Sequence, residues 1–219
     1  MNVSKKFLAP TQNFDADSDV IEEFVHSCNE EGLTQQAMAV CLYYKIRDEI
    51  FYNPFDIRFD FENVTSSSVI EKGHGHCIDK AGLMVSCCRL LGIPARLGLA
   101  KVRNHMGTAK LEKILKTDIL VPHGYTEVFL NEKWIKCTPA FNKSLCEKLG
   151  VKPLEWDGKS DSLFQQFDRE DGGFMEYIED YGTFEDIPQN LISWLMKKEY
   201  PHLVDEEGNL SSAALKVEE

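Results

Sequence analysis

The chain has 219 residues, a formal net charge of -12 and 43% hydrophobic residues. That length is enough for one well-buried core, and no shift in composition splits the chain in two. The acidity and the lack of a basic stripe exclude the phosphate-binding surface that nucleic acid needs, and no stretch approaches the roughly 20 apolar residues that span a bilayer. The opening residues carry no apolar run of signal-peptide length, so the expected location is cytoplasmic. The seven cysteines are Cys28, Cys41, Cys77, Cys87, Cys88, Cys137 and Cys146. An odd, irregularly spaced set in apolar surroundings is not a disulfide framework, and no C-x-x-C pair marks a structural zinc site. Most of these thiols read as small buried hydrophobes.

Taken in chain order, residues 1 to 17 predict an extended lead-in with Leu8 and Phe14 as its apolar points. Asp17 or Ser18 caps a short helix running to about Cys28, stopped by Gly32. Thr34 caps a longer one from Gln35 to about Ile50, where Met38, Leu42, Ile46 and Ile50 recur every fourth residue. Asn53-Pro54 ends it, and Ile57 to Phe61 alternate like a short strand. Ser66 to Ser68 open a helical turn ahead of Gly73. From Cys77 the apolar or small positions Ile78, Ala81, Val85, Cys88 and Leu91 mark one buried helix face, ended by Gly92 and Pro94. Ala95 to Val102 alternate like a strand. Arg103 to Lys116 is polar and basic, with too few apolar residues for a core element; it reads as a loop or a surface helix, serving as a solvated connection or as a lid over a site. His123 to Thr138 form the clearest hairpin, with Tyr125, Glu127 and Phe129 on one face, Thr126, Val128 and Leu130 on the other, and Asn131-Glu132 as the turn. A short helix and glycine stop follow Asn142. Leu163, Phe164 and Phe167 pin the next charged segment to the domain, and Pro188 to about Lys198 form a last amphipathic helix. Helices followed by a strand-rich half make the class α+β. Residues 1–204 are expected to be one domain with its core at about 33–142, and 205–219 a flexible tail.

Cys77 stands at the first turn of its helix, where free main-chain N–H groups and the helix dipole favour a thiolate; its pKa is expected to fall from roughly 8.5 toward neutrality. Gly73 and Gly75 are expected to leave room beside the sulfur. A nucleophilic cysteine needs a base, and the base needs an orienting group. His123, at the entry to the hairpin, can meet Cys77 at one end of a sheet, because consecutive elements tend to pack together.

Three blocks sharpen this pairing: Gly75-His-Cys77-Ile-Asp79-Lys-Ala81, Arg89-Leu-Leu-Gly92-Ile93-Pro94-Ala95-Arg96, and His123-Gly-Tyr-Thr-Glu127-Val128. In that order they resemble the transglutaminase-like superfamily, over residues 33–142. The resemblance implies a papain-like core, with a nucleophile helix packed on an antiparallel sheet. It assigns Cys77 as nucleophile and His123 as its partner. Within the superfamily the chain looks like the bacterial branch provisionally labelled cysteine proteases, not the animal crosslinking enzymes, for whose extra β domains it has no room. One position departs from the pattern: the family usually has Asp four residues after a tryptophan, where this chain reads Trp134-Ile-Lys-Cys-Thr138-Pro139. The Thr138 hydroxyl can accept the imidazole N–H, though it stabilises an imidazolium less than a carboxylate does; Asn142, Asp118 and Asp157 are the alternatives.

The expected chemistry is acyl transfer on amide bonds of a peptide or protein, by Cys77, His123 and Thr138, with no cofactor. The Cys77 main-chain N–H supplies one oxyanion contact, and Gln35, Gln36 or Tyr52 a second. Two other readings compete: a non-catalytic peptide-binding module in the same groove, and a metal site at His74, His76 and Cys77. The second lacks a further ligand cluster. Asp79 is expected to stabilise the helix start, Cys87 and Cys88 to lie in the core, and Arg96 to pair with a carboxylate.

Overall fold

The computed structural model describes residues 3–58, 63–104, 109–163 and 175–210. Seven α-helices and six strands are described: α1 (Asp19–Val25), α2 (Gln35–Glu49), β1 (Phe51–Tyr52), α3 (Ser66–Lys72), β2 (His74–Gly75), α4 (Cys77–Leu90), β3 (Ala95–Asn104), α5 (Ala109–Leu115), β4 (Ile119–Leu130), β5 (Lys133–Cys137), α6 (Lys143–Leu149), β6 (Met175–Phe184) and α7 (Gln189–Glu199). Strands β5, β4, β3 and β6 form an antiparallel sheet in that order, and α4 packs on β3 and β4. This is the expected α+β arrangement of a nucleophile helix on an antiparallel sheet.

The helix starts follow the capping signals in the sequence. The side chains of Ser18 and Thr34 accept main-chain N–H groups of Val20 and Ala37, and Thr65 forms a reciprocal capping box with Ser68. α4 is buried along most of its length and is capped by His76, whose Nδ1 accepts the Asp79 N–H while Asp79 Oδ2 accepts the His76 N–H at 2.9 Å. Asp79 therefore secures the helix start, as expected. The β4–β5 hairpin turns at Asn131 and Glu132, both with positive φ, as the tight hairpin turns require.

Two ties fix α4 against its surroundings. Lys80 is completely buried, and its Nζ donates to the main-chain carbonyls of Arg47 and Ile50 at the end of α2. Burial lowers this amine to about 7. Arg89, at the other end of α4, donates to the carbonyls of Ala9, Ala95 and Glu185, which joins the helix to the lead-in, to β3 and to the segment after β6.

Several expectations change. The lead-in holds a 3-10 turn at Lys5–Phe7 rather than strand. One cysteine pair, Cys28 and Cys41, is joined as a disulfide between the 3-10 turn after α1 and the middle of α2, with Cα atoms 5.6 Å apart. Irregular spacing hid a pair that tertiary packing brings together; Cys87, Cys88, Cys137 and Cys146 are buried cysteines outside that disulfide, in keeping with their reading as small buried hydrophobes. The stretch from Arg103 to Lys116 contains the end of β3 and α5, whose Leu111 and Leu115 are buried. The stretch that forms β6 is not among the expected strands; it pairs with β3 at the sheet edge. Part of the Ile57 to Phe61 stretch, Phe164 and Phe167, residues 105–108 and the last residues of the expected tail, 211–219, lie outside the described residues. Among the described residues, no helix is long and apolar enough to cross a membrane.

Candidate active site

β3 and β4 pair in a register that sets Leu99 opposite Gly124 and Ala100 opposite His123. The helix side of β4 is identified by its contacts: Thr126 Oγ1 donates to the Ala81 carbonyl at 2.9 Å, and a Cβ added to Gly124 would lie 2.7 Å from Ile78 Cα. Only glycine lets the first turn of α4 rest on the strand at this point. Its main-chain N–H acts on the Cys77 sulfur. The nucleophile candidate and His123 are thus brought to the same end of the sheet, Cys77 against the residue that follows His123.

Side-chain alternation places His123 and Tyr125 on the face opposite Gly124 and Thr126. Thr126 is paired with Cys137, so continuing the register one step sets Thr138 beside Tyr125, on the His123 face. His123 and Thr138 are both buried. Neither ring nitrogen of His123, nor the Thr138 hydroxyl, has a hydrogen-bond partner. The structure therefore does not join Thr138 to the imidazole: the hydroxyl is on the right face and stays unbonded.

The alternatives for that role are engaged elsewhere. Asn142 accepts the Tyr52 N–H and donates to Ser144, Asp118 faces Arg103 at 3.4 Å, and Asp157 caps the main chain at Lys159 and Ser160. Gln35 and Gln36 donate to the carbonyls of Gly92 and Asp157, which removes both as oxyanion donors. Tyr52 remains. The short parallel pairing of β1 with β2 sets it opposite Gly75, two residues before Cys77.

Electrostatics overturn the expected activated thiol. Burial, the largest influence, pushes Cys77 up to about 11; the Gly124 N–H opposes it, Asp79 adds to it, and the amides of Ile78 and Cys77 pull the other way. Loss of water around the sulfur outweighs the helix start. Burial, followed by the proximity of His76, lowers His123 to about 4. At rest both thiol and imidazole are neutral, and no hydrogen bond joins them. The two glycines also serve other ends: Gly73 closes α3 with φ 70°, and a Cβ on Gly75 would meet Asp79 Cβ at 2.7 Å, so its missing side chain makes room for the capping aspartate.

Cys77 opens onto a cavity of about 60 Å³. Beyond Tyr52 and the start of α4, its walls include Leu111 and Leu115 of α5, Leu120 to Pro122 of β4, and Ile192 and Met196 of α7 with Tyr200 after it. Tyr200 is fixed across the start of β4, accepting the Val121 N–H and donating to the Ile119 carbonyl, both at 2.8 Å. Sequence reasoning missed these wall residues, since an apolar helix face carries the same signal whether it covers a core or a cavity. Lys80 was visible only as a charged residue inside an apolar run. Among the described residues, no group of three or more histidine, cysteine, aspartate or glutamate side chains is arranged around a metal site; His76 serves as the helix cap and His74 Nδ1 stands 3.8 Å from Asp56.

The motif blocks have structural partners as well. Arg96 and Glu127 are opposite each other in the β3–β4 register, bonded at 2.8 Å through Nε, with the guanidinium 4.0 Å from the Trp134 ring centre. Arg96 pairs with a carboxylate, as its reading anticipated.

The family model described as the transglutaminase-like superfamily matches residues 22–139, from α1 to the proline after Thr138. No curated protein matches the chain. Among solved structures, it is similar to one titled a "Putative Cysteine Protease" from Cytophaga hutchinsonii, with a TM-score of 0.47 and 15% identity over 81% of this chain and 53% of that one. The chain spans about half the length of that protein. At family level the match supports a cysteine-dependent hydrolase or transferase. With the family model covering α4 and the β4–β5 hairpin, the chain belongs to the transglutaminase-like superfamily.

Proposed function

We propose that this protein carries out cysteine-dependent acyl transfer on amide bonds of a peptide or protein, with Cys77 as nucleophile and His123 as acid and base. The observation that carries the reading is the packing of the α4 start on Gly124, which sets the sulfur beside the residue following a buried, unpartnered histidine. Because thiol and imidazole are both neutral at rest, the proton moves only as bonding begins. His123 takes the thiol proton as the sulfur attacks the amide carbonyl and the C–S bond forms. The C–N bond then breaks, and the imidazolium returns its proton to the leaving amine. Water, or a second amine, attacks the thioester, giving an acid or a new amide and restoring the thiol.

Thr138 enters as a positioning residue for the imidazolium N–H; the support is its place on the His123 face with no other partner. Tyr52, a wall of the cavity whose hydroxyl feels the Cys77 charge, is the second oxyanion donor beside the Cys77 amide. Turnover of a peptide amide should fall at least about 10³-fold in Cys77→Ala, with circular dichroism and thermal unfolding unchanged. Equal modification of wild type and Cys77→Ala by an electrophilic amide analogue would overturn the assignment.

A second reading has its own support. Cys77 held up to about 11, and a threonine where a carboxylate is usual, also suit a module that grips a peptide without cleaving it. A peptide bound equally by wild type and Cys77→Ser, with turnover by neither, would decide for that reading.

A further inference from the structure

Resting on the acyl-transfer reading above, we infer that the substrate presents a branched aliphatic side chain, of valine or leucine size, on the acyl side of the reacting amide, and that a glutamine carboxamide is rejected there. The cavity at Cys77 is the basis. No lysine, arginine, aspartate or glutamate is among the described residues that line it. Two of the polar groups that reach it are committed within the protein. His76 Nδ1 accepts the Asp79 N–H, and the Tyr200 hydroxyl bridges the Val121 N–H and the Ile119 carbonyl. The Tyr52 hydroxyl stands near the sulfur, where it serves the carbonyl oxygen of the substrate rather than its side chain.

A carboxamide entering this space would give up its hydrogen bonds to water and meet a wall that is mostly aliphatic, with the His76 ring and the Tyr52 hydroxyl as its only side-chain partners left over among the described residues, so it is disfavoured there. An aliphatic group loses nothing on entry and meets Leu111, Leu115, Ile192 and Met196. Size sets the upper limit. An engineered cavity of roughly 150 Å³ takes benzene, whereas this one is about 60 Å³, which favours a short branched chain over an aromatic ring. The cavity is continuous with the nucleophile, so its occupant is attached close to the carbonyl that the sulfur attacks.

The test uses the full chain and a matched set of acetylated amino-acid chloromethyl ketones carrying leucine, valine, glutamine or phenylalanine side chains. Sites of alkylation are read by mass spectrometry, and rates by loss of free Cys77. The leucine and valine reagents should label Cys77 at least tenfold faster than the glutamine reagent, a ratio within what an apolar pocket achieves. The order should also hold in kcat/KM for the corresponding coumarin amides. In Leu111→Gln, which brings a carboxamide into the wall, the ratio should narrow. Equal labelling by the leucine and glutamine reagents overturns the side-chain assignment and leaves the nucleophile in place. Failure of every reagent to label Cys77 overturns the acyl-transfer reading and this inference with it. A faster phenylalanine reagent overturns the size limit.

Discussion

The two ends of the β3–β4 pair both draw on the motif blocks of the sequence, yet they treat their polar groups in opposite ways. At the Arg96 end, Arg96 bonds Glu127 across the strands, and Arg89 fills three carbonyls with one guanidinium. At the His123 end, both imidazole nitrogens and the Thr138 hydroxyl are buried with no partner, and the adjacent thiol is held neutral. A protein interior seldom leaves polar groups unsatisfied, since each costs stability. Satisfaction at one end and its absence at the other separate residues that hold the fold together from residues free to meet a substrate.

The comparison breaks most visibly at Arg89. Replacing it with methionine keeps much of the volume but leaves the carbonyls of Ala9, Ala95 and Glu185 without their donor. At about 1–3 kcal/mol for the buried Ala95 carbonyl, and less for the part-buried bonds to Ala9 and Glu185 that water can replace, the expected loss is about 3–4 kcal/mol, a large share of a typical domain stability. Urea unfolding measures it; a loss below about 1 kcal/mol would show that the satisfied end is not what secures α4.

Acid should expose the other end. His123 is held at about 4, below the ordinary histidine value near 6.5, because burial disfavours its charged form. Above pH 6.5 both folded and unfolded chains carry a neutral ring and the group contributes no pH dependence. Between pH 6.5 and 4 the unfolded chain binds the proton and the folded one does not, so stability falls as pH falls, by about 3 kcal/mol across the window. In His123→Phe that part of the slope should vanish. Parallel unfolding midpoints for the two proteins from pH 7 to 4.5 would refute the assignment of this slope to the ring.

Much of this architecture can be read from the chain, and what cannot has physical reasons. Helix starts at Ser18, Thr34 and Cys77 are legible because capping is local chemistry, and the hairpin at Asn131-Glu132 because a turn with positive φ has few sequences. The Cys77 and His123 positions follow from motifs. Their protonation does not: the helix start argues for a thiolate from local structure alone, whereas the burial that reverses it comes from α5, β4 and α7, far along the chain. The Cys28–Cys41 bridge and β6 are hidden for the same reason, since each depends on a neighbour that sequence spacing does not reveal.

The smallest expected effect is the sharpest test of the contrast, because it sets two threonines on paired strands against each other. Thr126 Oγ1 donates to the Ala81 carbonyl, and Thr138 Oγ1 has no partner; both are buried. Threonine to valine removes the hydroxyl and keeps the shape. In Thr126→Val the change removes a buried hydrogen bond, although the Ala81 carbonyl keeps its helical partner, and should cost about 1 kcal/mol. In Thr138→Val it removes a group that is already unsatisfied, so stability should stay level or rise by up to about 1 kcal/mol. If Thr138 positions the imidazolium, the same substitution lowers kcat with KM kept, and shifts the acidic limb of the pH profile; a stability loss equal to that of Thr126→Val, with kinetics unchanged, would make Thr138 a structural residue and remove it from the site.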